Sequence, residues 1–266
     1  LNEIGEKQSG KRIKKMKKIF WTGVLLSCFW LKAQEQKLVW AEEFDGSSLD
    51  TSVWNFAEGD GCPNLCGWGN RERQIYTTTN HRLADGFLYI KAEKEGDHFT
   101  STRINTKGKK SFQYGRFEVR AKLAKGQGVW PAFWLLGNNI DQVGWPLCGE
   151  IDVLEYVGRA PGEIFTTLHT KAASGDFANT KTTALPNIEE GFHIYTADWN
   201  KDRIAFYVDD ALVYTFAPED KSEEVWPFNQ PFYLLLNLAI GGHFGGEVDE
   251  SIFPQEFVID YIRVYQ

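Results

Sequence analysis

The chain has 266 residues, of which 42% are hydrophobic, 24% are charged and 15% are aromatic. This length suits one large domain or two ordinary ones. The composition supplies enough apolar residues for a sizeable core and excludes a globally disordered chain. The formal net charge of -7 at pH 7 argues against a protein that binds nucleic-acid phosphates.

The N-terminal segment, residues 1–33, has the pattern of a targeting signal. Met16 is followed by two lysines and by an apolar run at residues 19–31 that ends near Ala33. A basic start, a short apolar run and a small residue at the cleavage position are typical of a secretory signal peptide. We therefore predict an upstream extension, translation from Met16, cleavage after Ala33, and a protein that is secreted from the cell or into the periplasm. The apolar run is shorter than the ~20 residues of a transmembrane helix, so we expect no membrane association after cleavage.

A second interpretation of the same segment is a lipoprotein signal. In that case Cys28 would carry the lipid and anchor the protein at the cell surface. The bulky Leu26 and the apolar residues that follow Cys28 argue against this alternative.

The cysteines after the signal are compatible with export. Cys62 and Cys66 lie four positions apart in a segment that contains Gly and Pro, so they are close enough for a loop disulfide in an oxidising compartment. Cys148 would then stay single. A zinc site is not indicated, because no second pair of Cys or His stands at ligand spacing. The spacing alone leaves the disulfide open.

From residue 34 onward the pattern is that of short strands. Alternation of apolar and polar residues predicts strands at Gly115–Lys122 and at residues 257–265. Ile204–Val208 and Ala211–Phe216 flank two aspartates and predict a hairpin. Phe232–Ile240 is almost continuously apolar, which predicts a strand buried on both faces. We expect residues 34–266 to form a single all-β domain, a sandwich or a barrel, and we expect a monomer.

The most informative strand carries three acids: Glu150, Asp152 and Glu155. Side chains of a regular strand alternate, so Glu150 and Asp152 would share one face and Glu155 would point to the other. Acids on both faces of a buried strand would be costly. A β-bulge between Asp152 and Glu155 removes this conflict, because one extra residue brings all three acids onto one face.

The bulge is predicted near Val153 and Leu154. Ile151 and one of these two residues would then pack in the core. On a concave sheet the two glutamates would lean together, and a carboxyl separation of roughly 5–5.5 Å suits a nucleophile and an acid/base in a retaining glycosidase. Like charges this close do not all ionise easily, so one carboxyl would keep its proton near neutral pH. The alternative is a cation site or a surface acidic cluster, although acid-rich cation sites usually lie on loops.

Tryptophans near this strand predict a sugar ligand. Trp130, Trp134 and Trp145 precede the acids, and indole faces stack on pyranose rings while polar edges bind hydroxyls. Core packing is the alternative for any of them, and it is our interpretation of Phe133. We also expect Trp54, Trp199 and Trp226 to be core residues.

Several segments together resemble glycoside hydrolase family 16, and within it the bacterial laminarinases, over almost all of residues 38–266. They are EFDG at 43–46, GCPNLCGWGN at 61–70, YGRFEVR at 114–120, WPAFWLLG at 130–137, WPLCGEIDVLE at 145–155, LH at 168–169 and NLAIGG at 237–242. The resemblance implies a concanavalin A-like β-sandwich (jelly roll) with a concave substrate cleft. It also implies a retaining mechanism in which Glu150 is the nucleophile, Asp152 its partner and Glu155 the acid/base.

By the same resemblance seven residues would line the cleft and bind substrate: Asn70, Glu72, Arg103, Trp130, Trp134, His169 and Asn237. A core histidine is the alternative for His169. The chain departs from the laminarinase pattern at His243 and Phe244, where those enzymes often have Asn-Trp, so the preferred chain length and branching stay open.

The resemblance further implies a structural Ca²⁺ on the convex side. Asp260 lies within the last predicted strand, in phase with Val258 and Ile262, and a buried acid there needs a partner. The calcium would be shared by Glu43, the Gly86 carbonyl and Asp260. The alternative is that Asp260 pairs with Arg263 or with a hydroxyl.

These observations predict a secreted endo-β-1,3-glucanase that hydrolyses laminarin-type β-glucans. Within the same class, the alternative substrates are mixed-linkage β-glucan, agarose and carrageenan. The acidic chain favours a neutral glucan over a sulfated galactan. A lectin on the same sandwich is the alternative from another class, although a lectin has no use for three aligned acids.

Overall fold

A computed structural model describes residues 36–266 of the chain. The predicted upstream extension and signal peptide at residues 1–33, with Met16 and Cys28, therefore lie outside the described residues. Within residues 36–266, no helix is long and apolar enough to cross a membrane.

The described part of the chain consists mainly of strands. They are β1 (Leu38–Glu42), β2 (Asn55–Ala57), β3 (Gln74–Tyr76), β4 (His81–Ala84), β5 (Phe87–Glu95), β6 (His98–Ser101), β7 (Arg103–Asn105), β8 (Gly115–Lys122), β9 (Val129–Gly137), β10 (Glu150–Glu155), β11 (Glu163–His169), β12 (Asn179–Ala184), β13 (His193–Trp199), β14 (Ile204–Val208), β15 (Ala211–Phe216), β16 (Phe232–Ile240) and β17 (Gln255–Tyr265). Two one-turn helices, α1 (Ile140–Val143) and α2 (Gly242–Gly245), lie in loops.

Within residues 36–266 the strands form two sheets. One has ten strands, ordered β15-β14-β13-β8-β17-β5-β6-β3, with β1 beside β17 and β4 beside β5. The other has seven strands, ordered β12-β11-β10-β9-β16-β7-β2. Almost all pairings are antiparallel, so the sheets do not need the helical crossovers that parallel neighbours require. The prediction of an all-β sandwich is confirmed.

The core lies between the two sheets. Phe133 of β9 and Leu236 of β16 pack in the same cluster as Phe117 and Val119 of β8, and each of these side chains is fully buried. Every residue of Phe232–Ile240 is buried, which confirms the prediction of a central strand with no solvent face. Three predicted core tryptophans are also buried: Trp54, Trp199 and Trp226.

Local turn chemistry explains the predicted hairpin. Asp209 and Asp210 connect β14 to β15 with positive φ values of 48° and 65°. Two consecutive residues with positive φ give the twist that a two-residue hairpin needs, and aspartate tolerates this conformation better than most residues. The hairpin is confirmed at the predicted residues.

The structure shows the state of the three cysteines after the predicted signal. Cys62 and Cys66 are joined by a disulfide in the loop between β2 and β3. Within the described residues, Cys148 is a free and buried thiol.

Candidate active site

Strand β10 contains the predicted bulge. Asp152 pairs with Trp134 of β9, and Glu155 pairs with Ala132. The two acids are therefore three positions apart on β10 but two positions apart on β9, so one residue of β10 is extra. The phase of the strand changes there, and both acids lie on the outer face of the seven-stranded sheet.

The bulge differs from the prediction in one detail. Val153 and Leu154 are both buried, with 1% and 0% exposure, and both belong to the core cluster. The prediction that only one of them would pack inward was wrong. At the bulge two residues of β10 stand opposite one residue of β9, Phe133, so both side chains occupy the inner face.

Glu150 lies at the start of β10. The indole Nε1 of Trp145 donates a hydrogen bond of 2.6 Å to its Oε2 atom, and Trp145 itself is 49% exposed. Glu150 stands opposite His169 of β11. Glu150, Asp152 and His169 each offer one oxygen or nitrogen atom, and these three atoms all lie within 4.8 Å of one another. Trp145 thus contacts the first acid, and its exposed ring is available for a ligand.

Glu155, at the other end of β10, is enclosed and doubly hydrogen-bonded. Its Oε1 atom accepts from Nε1 of Trp130 at 3.2 Å, and its Oε2 atom accepts from Oγ1 of Thr167 at 3.0 Å. Burial raises the pKa of Glu155 to about 7, the charge of Glu150 adds to the rise, and the two hydrogen bonds oppose it. Glu155 is therefore substantially protonated near neutral pH and can act as an acid.

Asp152 lies between the two glutamates and is only 3% exposed. Burial raises its pKa well above the ordinary value, and the charges of Glu150 and Glu155 raise it further. The protonated form of Asp152 is therefore favoured, which reduces the negative charge of the cluster. Neighbouring carboxyls whose pKa values differ in this way are typical of catalytic sites, because each can then take a different role.

A second group of predicted residues lies on neighbouring strands. Trp134 of β9 donates from Nε1 to Oδ1 of Asn237 on β16, at 2.8 Å. The guanidinium of Arg103 on β7 lies 4.7 Å from the Trp134 ring centre and 4.8 Å from that of Trp68. Arg103 also faces Asn237 across the ladder between β7 and β16. Three of the predicted substrate-binding residues thus form one continuous polar and aromatic surface beside the acids.

Glu72 forms the polar end of this surface. Its carboxylate accepts from Nδ2 of Asn70 at 3.1 Å, from Nε2 of Gln74 at 2.6 Å and from the Tyr76 hydroxyl at 3.3 Å. Burial raises the pKa of Glu72, while the positive charge of Arg103 lowers it. The predicted residues Asn70, Glu72 and Arg103 therefore lie together, in a geometry held by hydrogen bonds that are already made.

Some lining residues were not predicted from sequence. Thr167 and Phe165 alternate with His169 along β11, and a period of two would have found them once β11 was known to lie beside β10. Trp68, Gln74 and Tyr76 had no separate sequence signal. The Phe244 ring packs edge-on against Trp130, at 5.3 Å, and against Phe165, at 4.9 Å.

The predicted calcium ligands lie elsewhere. Both carboxylate oxygens of Glu43 accept from Arg263, at 2.8 and 2.9 Å, and Asp260 pairs with Arg120. Gly86 lies beside Asp45, two residues after Glu43, since a Cβ added there would lie 3.4 Å from Oδ1 of Asp45. As side-chain ligands Glu43 and Asp260 do not fit a calcium site, because arginines already compensate their charge. The calcium itself stays a prediction.

The expected phase of Asp260 was wrong. Strand β17 has a bulge between Ile259 and Tyr261, where Asp260 has no partner on β8. Ile259 and Ile262 consequently both face the core, and the Asp260 side chain is 25% exposed. Its partner is Arg120, and not Arg263 as the sequence-based alternative proposed.

Comparison with known proteins agrees with this site. The family model for the glycosyl hydrolases of family 16 matches residues 69–263. The beta-glucanase of Rhodothermus marinus is 39% identical over 281 aligned residues, which cover 96% of each chain. The crystal structure of the laminarinase from Flavobacterium sp. UMI-01 is 63% identical with a TM-score of 0.85 and covers 86% of this chain and 100% of that one. The crystal structure of the laminarinase catalytic domain from Thermotoga maritima MSB8 is 42% identical, with a TM-score of 0.83. The match covers 87% of this chain and 98% of that one.

These likenesses extend over the fold as well as the motifs. The two-sheet sandwich of residues 36–266 is of the jelly-roll type predicted from the resemblance. The family match includes all three acids of β10. The chain therefore belongs to the glycosyl hydrolases of family 16.

Proposed function

We propose that this protein is a retaining endo-β-1,3-glucanase that hydrolyses laminarin-type β-glucans by double displacement. The relatives named beta-glucanase and laminarinase support the substrate, and their similarity covers most of the chain. The aromatic and amide-lined surface beside β10 supports a neutral polysaccharide, since it offers stacking faces and hydrogen-bonding groups together.

The observation that carries the proposal is the unequal environment of two carboxyls on one face. Glu150 touches the exposed Trp145, whereas Glu155 is buried with a pKa raised to about 7. A retaining glycosidase needs a carboxylate that attacks and a carboxyl that gives a proton. Glu150 is suited to attack as a carboxylate, and Glu155 is suited to give the proton.

In the first step Glu150 attacks the anomeric carbon and forms a glycosyl ester. The glycosidic C–O bond breaks as the proton of Glu155 passes to the leaving oxygen. Trp130 and Thr167 then stabilise the carboxylate that Glu155 has become, because both donate hydrogen bonds to it.

In the second step a water molecule takes the place of the leaving sugar. Glu155, now a carboxylate, removes a proton from this water as its oxygen attacks the anomeric carbon. The ester bond to Glu150 breaks, Glu150 recovers its charge, and Glu155 regains its proton. Two inversions at one carbon retain the configuration.

Asp152 assists from between the two glutamates. Its raised pKa keeps it protonated, so it relieves the repulsion that a third charge would cause. A protonated Asp152 can also donate a hydrogen bond to Glu150 and orient it for attack.

The test is a reducing-sugar assay on laminarin with purified enzyme. Turnover by the wild type and its loss in Glu150→Ser support the proposal. Binding of laminarin without turnover by the wild type would indicate a lectin. Turnover confined to agarose, carrageenan or mixed-linkage glucan would reassign the substrate.

A second measurement tests the stereochemistry. Proton NMR of early products should show the β-anomer before mutarotation. Early appearance of the α-anomer would contradict a glycosyl ester on Glu150.

We also propose that the protein is exported and acts as a monomer. The Cys62–Cys66 disulfide supports an oxidising compartment. Mass spectrometry of the mature N-terminus should give a chain that starts after Ala33, and a lipid mass on Cys28 would favour anchoring. Size-exclusion chromatography with light scattering tests the monomer.

A further inference from the structure

His169 lies at the end of β11, opposite Glu150, but its contacts are not those of a substrate-binding side chain. The side chain is 16% exposed. Its ring centre is 5.6 Å from the ring centre of Trp145. The ring is thus enclosed between Trp145 and the acids of β10.

One ring nitrogen of His169 is already occupied. The main-chain N–H of Gly175, in the loop between β11 and β12, donates a hydrogen bond of 3.2 Å to Nδ1. A nitrogen that accepts a hydrogen bond carries a lone pair and no proton, so in the neutral imidazole the proton is on Nε2. The loop therefore sets the tautomer of His169.

The other nitrogen faces Asp152. Nε2 of His169 lies 3.4 Å from Oδ2 of Asp152. Among residues 36–266, this buried Oδ2 atom has no hydrogen-bond partner. A buried carboxyl oxygen without a partner is costly, and catalytic hydrogen bonds in free enzymes are often long and tighten only when substrate binds.

We propose that His169 is a positioning residue, whose Nε2–H donates to Oδ2 of Asp152 during the reaction and leaves the other carboxyl oxygen of Asp152 to face Glu150. This inference rests on the proposed function. No proton is transferred by His169; its effect is to fix the rotamer of Asp152 and, through it, the orientation of Glu150.

The same contacts argue against two other roles. A sugar hydroxyl would need a ring nitrogen without a protein neighbour, whereas Nδ1 accepts from Gly175 and Nε2 lies 3.4 Å from Oδ2 of Asp152. A metal ion on Glu150, Asp152 and His169, whose atoms are close enough for one, would need the lone pair of Nε2, which carries the proton in this tautomer. Donation to Asp152 is the role that uses both nitrogens as they stand.

Two substitutions separate the two ends of the imidazole. In His169→Gln the side-chain amide reaches the position of Nε2 and can donate to Asp152. In His169→Asn the amide reaches only the position of Nδ1, so the variant can keep the contact with Gly175 and lose the one with Asp152. His98→Asn, at an exposed histidine on β6, is the control and should match the wild type.

We expect His169→Asn to lower kcat on laminarin by about tenfold, the effect of leaving a buried carboxyl oxygen without a hydrogen-bond donor, with KM within about twofold of wild type. His169→Gln should recover most of kcat. A raised KM with unchanged kcat would overturn the inference in favour of substrate binding. Equal loss of kcat in both variants would overturn it as well, since a donor at the Nε2 position would then be irrelevant.

A spectroscopic test needs no turnover and so separates this inference from the proposed function. In long-range ¹H–¹⁵N spectra of ¹⁵N-histidine-labelled wild type, with the signal assigned by its loss in His169→Gln, the ring should be neutral with its proton on Nε2. A proton on Nδ1 would overturn the inference. So would Zn²⁺ binding by the wild type, measured by calorimetry, that disappears in His169→Gln.

Discussion

The two sheets each contain a strand with a bulge beside an acid, and they use it in opposite ways. In the seven-stranded sheet the bulge of β10 gathers Glu150, Asp152 and Glu155 on one face. In the ten-stranded sheet the bulge of β17 leaves Asp260 without a backbone partner on β8, and the Asp260 side chain forms an ion pair with Arg120. A similar backbone device therefore carries reactive acids in one place and a compensated acid in the other.

The acids beside the two bulges differ in whether an arginine side chain contacts them. Of the described residues, an arginine side chain neutralises Asp260 and another holds both oxygens of Glu43. Glu155, by contrast, receives only neutral donors, Trp130 and Thr167, and its pKa rises to about 7. Burial without a cation favours the protonated form of an acid, which is what Glu155 needs as a proton donor. Buried acids without cations are costly to stability, and this cost is typical of catalytic sites.

The largest expected effect follows from removing Glu150, the carboxylate proposed to attack the anomeric carbon. Glu150→Ser should lower kcat on laminarin by about 10⁴-fold or more, since no other group forms the ester. The free energy of unfolding should be unchanged or higher, because one of three close acids is gone. Activity assays and urea unfolding measure the two quantities. A variant that is active, or that is clearly less stable, would contradict the contrast between reactive and compensated acids.

The next effect concerns the proton donor. Glu155→Gln should lower kcat by about 10³-fold, the usual range for loss of a general acid. Wild-type kcat/KM should fall as pH rises through about 7, because Glu155 must be protonated in the first step. The variant's residual activity should lack this basic limb.

Stability provides an independent check on Glu155. Its folded-state pKa of about 7 is above the ordinary 4.5, so its contribution to stability is complete below pH 4.5 and is lost as pH rises through about 7. In Glu155→Gln the free energy of unfolding should vary less between these pH values. An unchanged pH dependence would show that Glu155 titrates normally.

A smaller effect is expected from the neutral donors. Thr167→Val removes the hydroxyl that bonds Glu155 and lowers its pKa. The basic limb of kcat/KM should therefore move to higher pH, by about one pH unit. Trp130→Phe should shift it in the same direction but less, because its hydrogen bond lowers the pKa of Glu155 less. A shift to lower pH in either variant would contradict the assignment of Glu155 as the acid.

The smallest effect is expected at the compensated acid. Asp260→Asn should leave kcat within about twofold of wild type and lower the free energy of unfolding by about 1 kcal/mol or less, since the pair with Arg120 is partly exposed. Urea unfolding with and without EDTA also tests the predicted calcium. A wild-type midpoint that EDTA lowers would support a stabilising calcium ion in this protein, and an unchanged midpoint would argue against one.

Much of the site was predictable because strand patterns are local. Three acids on an apolar strand left only a few ways to avoid a buried charge, and a bulge between Asp152 and Glu155 was one of them. The tryptophans near the strand predicted a sugar ligand. The resemblance implied which of Glu150 and Glu155 would be the nucleophile and which the acid/base, an order that composition and spacing did not contain.

Residue patterns along the chain predicted several of the strands, the core tryptophans and the place of the bulge in β10, because the alternation of apolar and polar side chains is a property of neighbouring residues. The position of β11 beside β10, which brings Thr167 and His169 to the acids, could be known only from the fold. The fold also decided that Asp260 meets Arg120, 140 positions away, at a bulge that the sequence-based interpretation did not foresee. The reason is physical: side-chain phase is a property of one strand, whereas the partner of a charge is set by strand pairing over long separations.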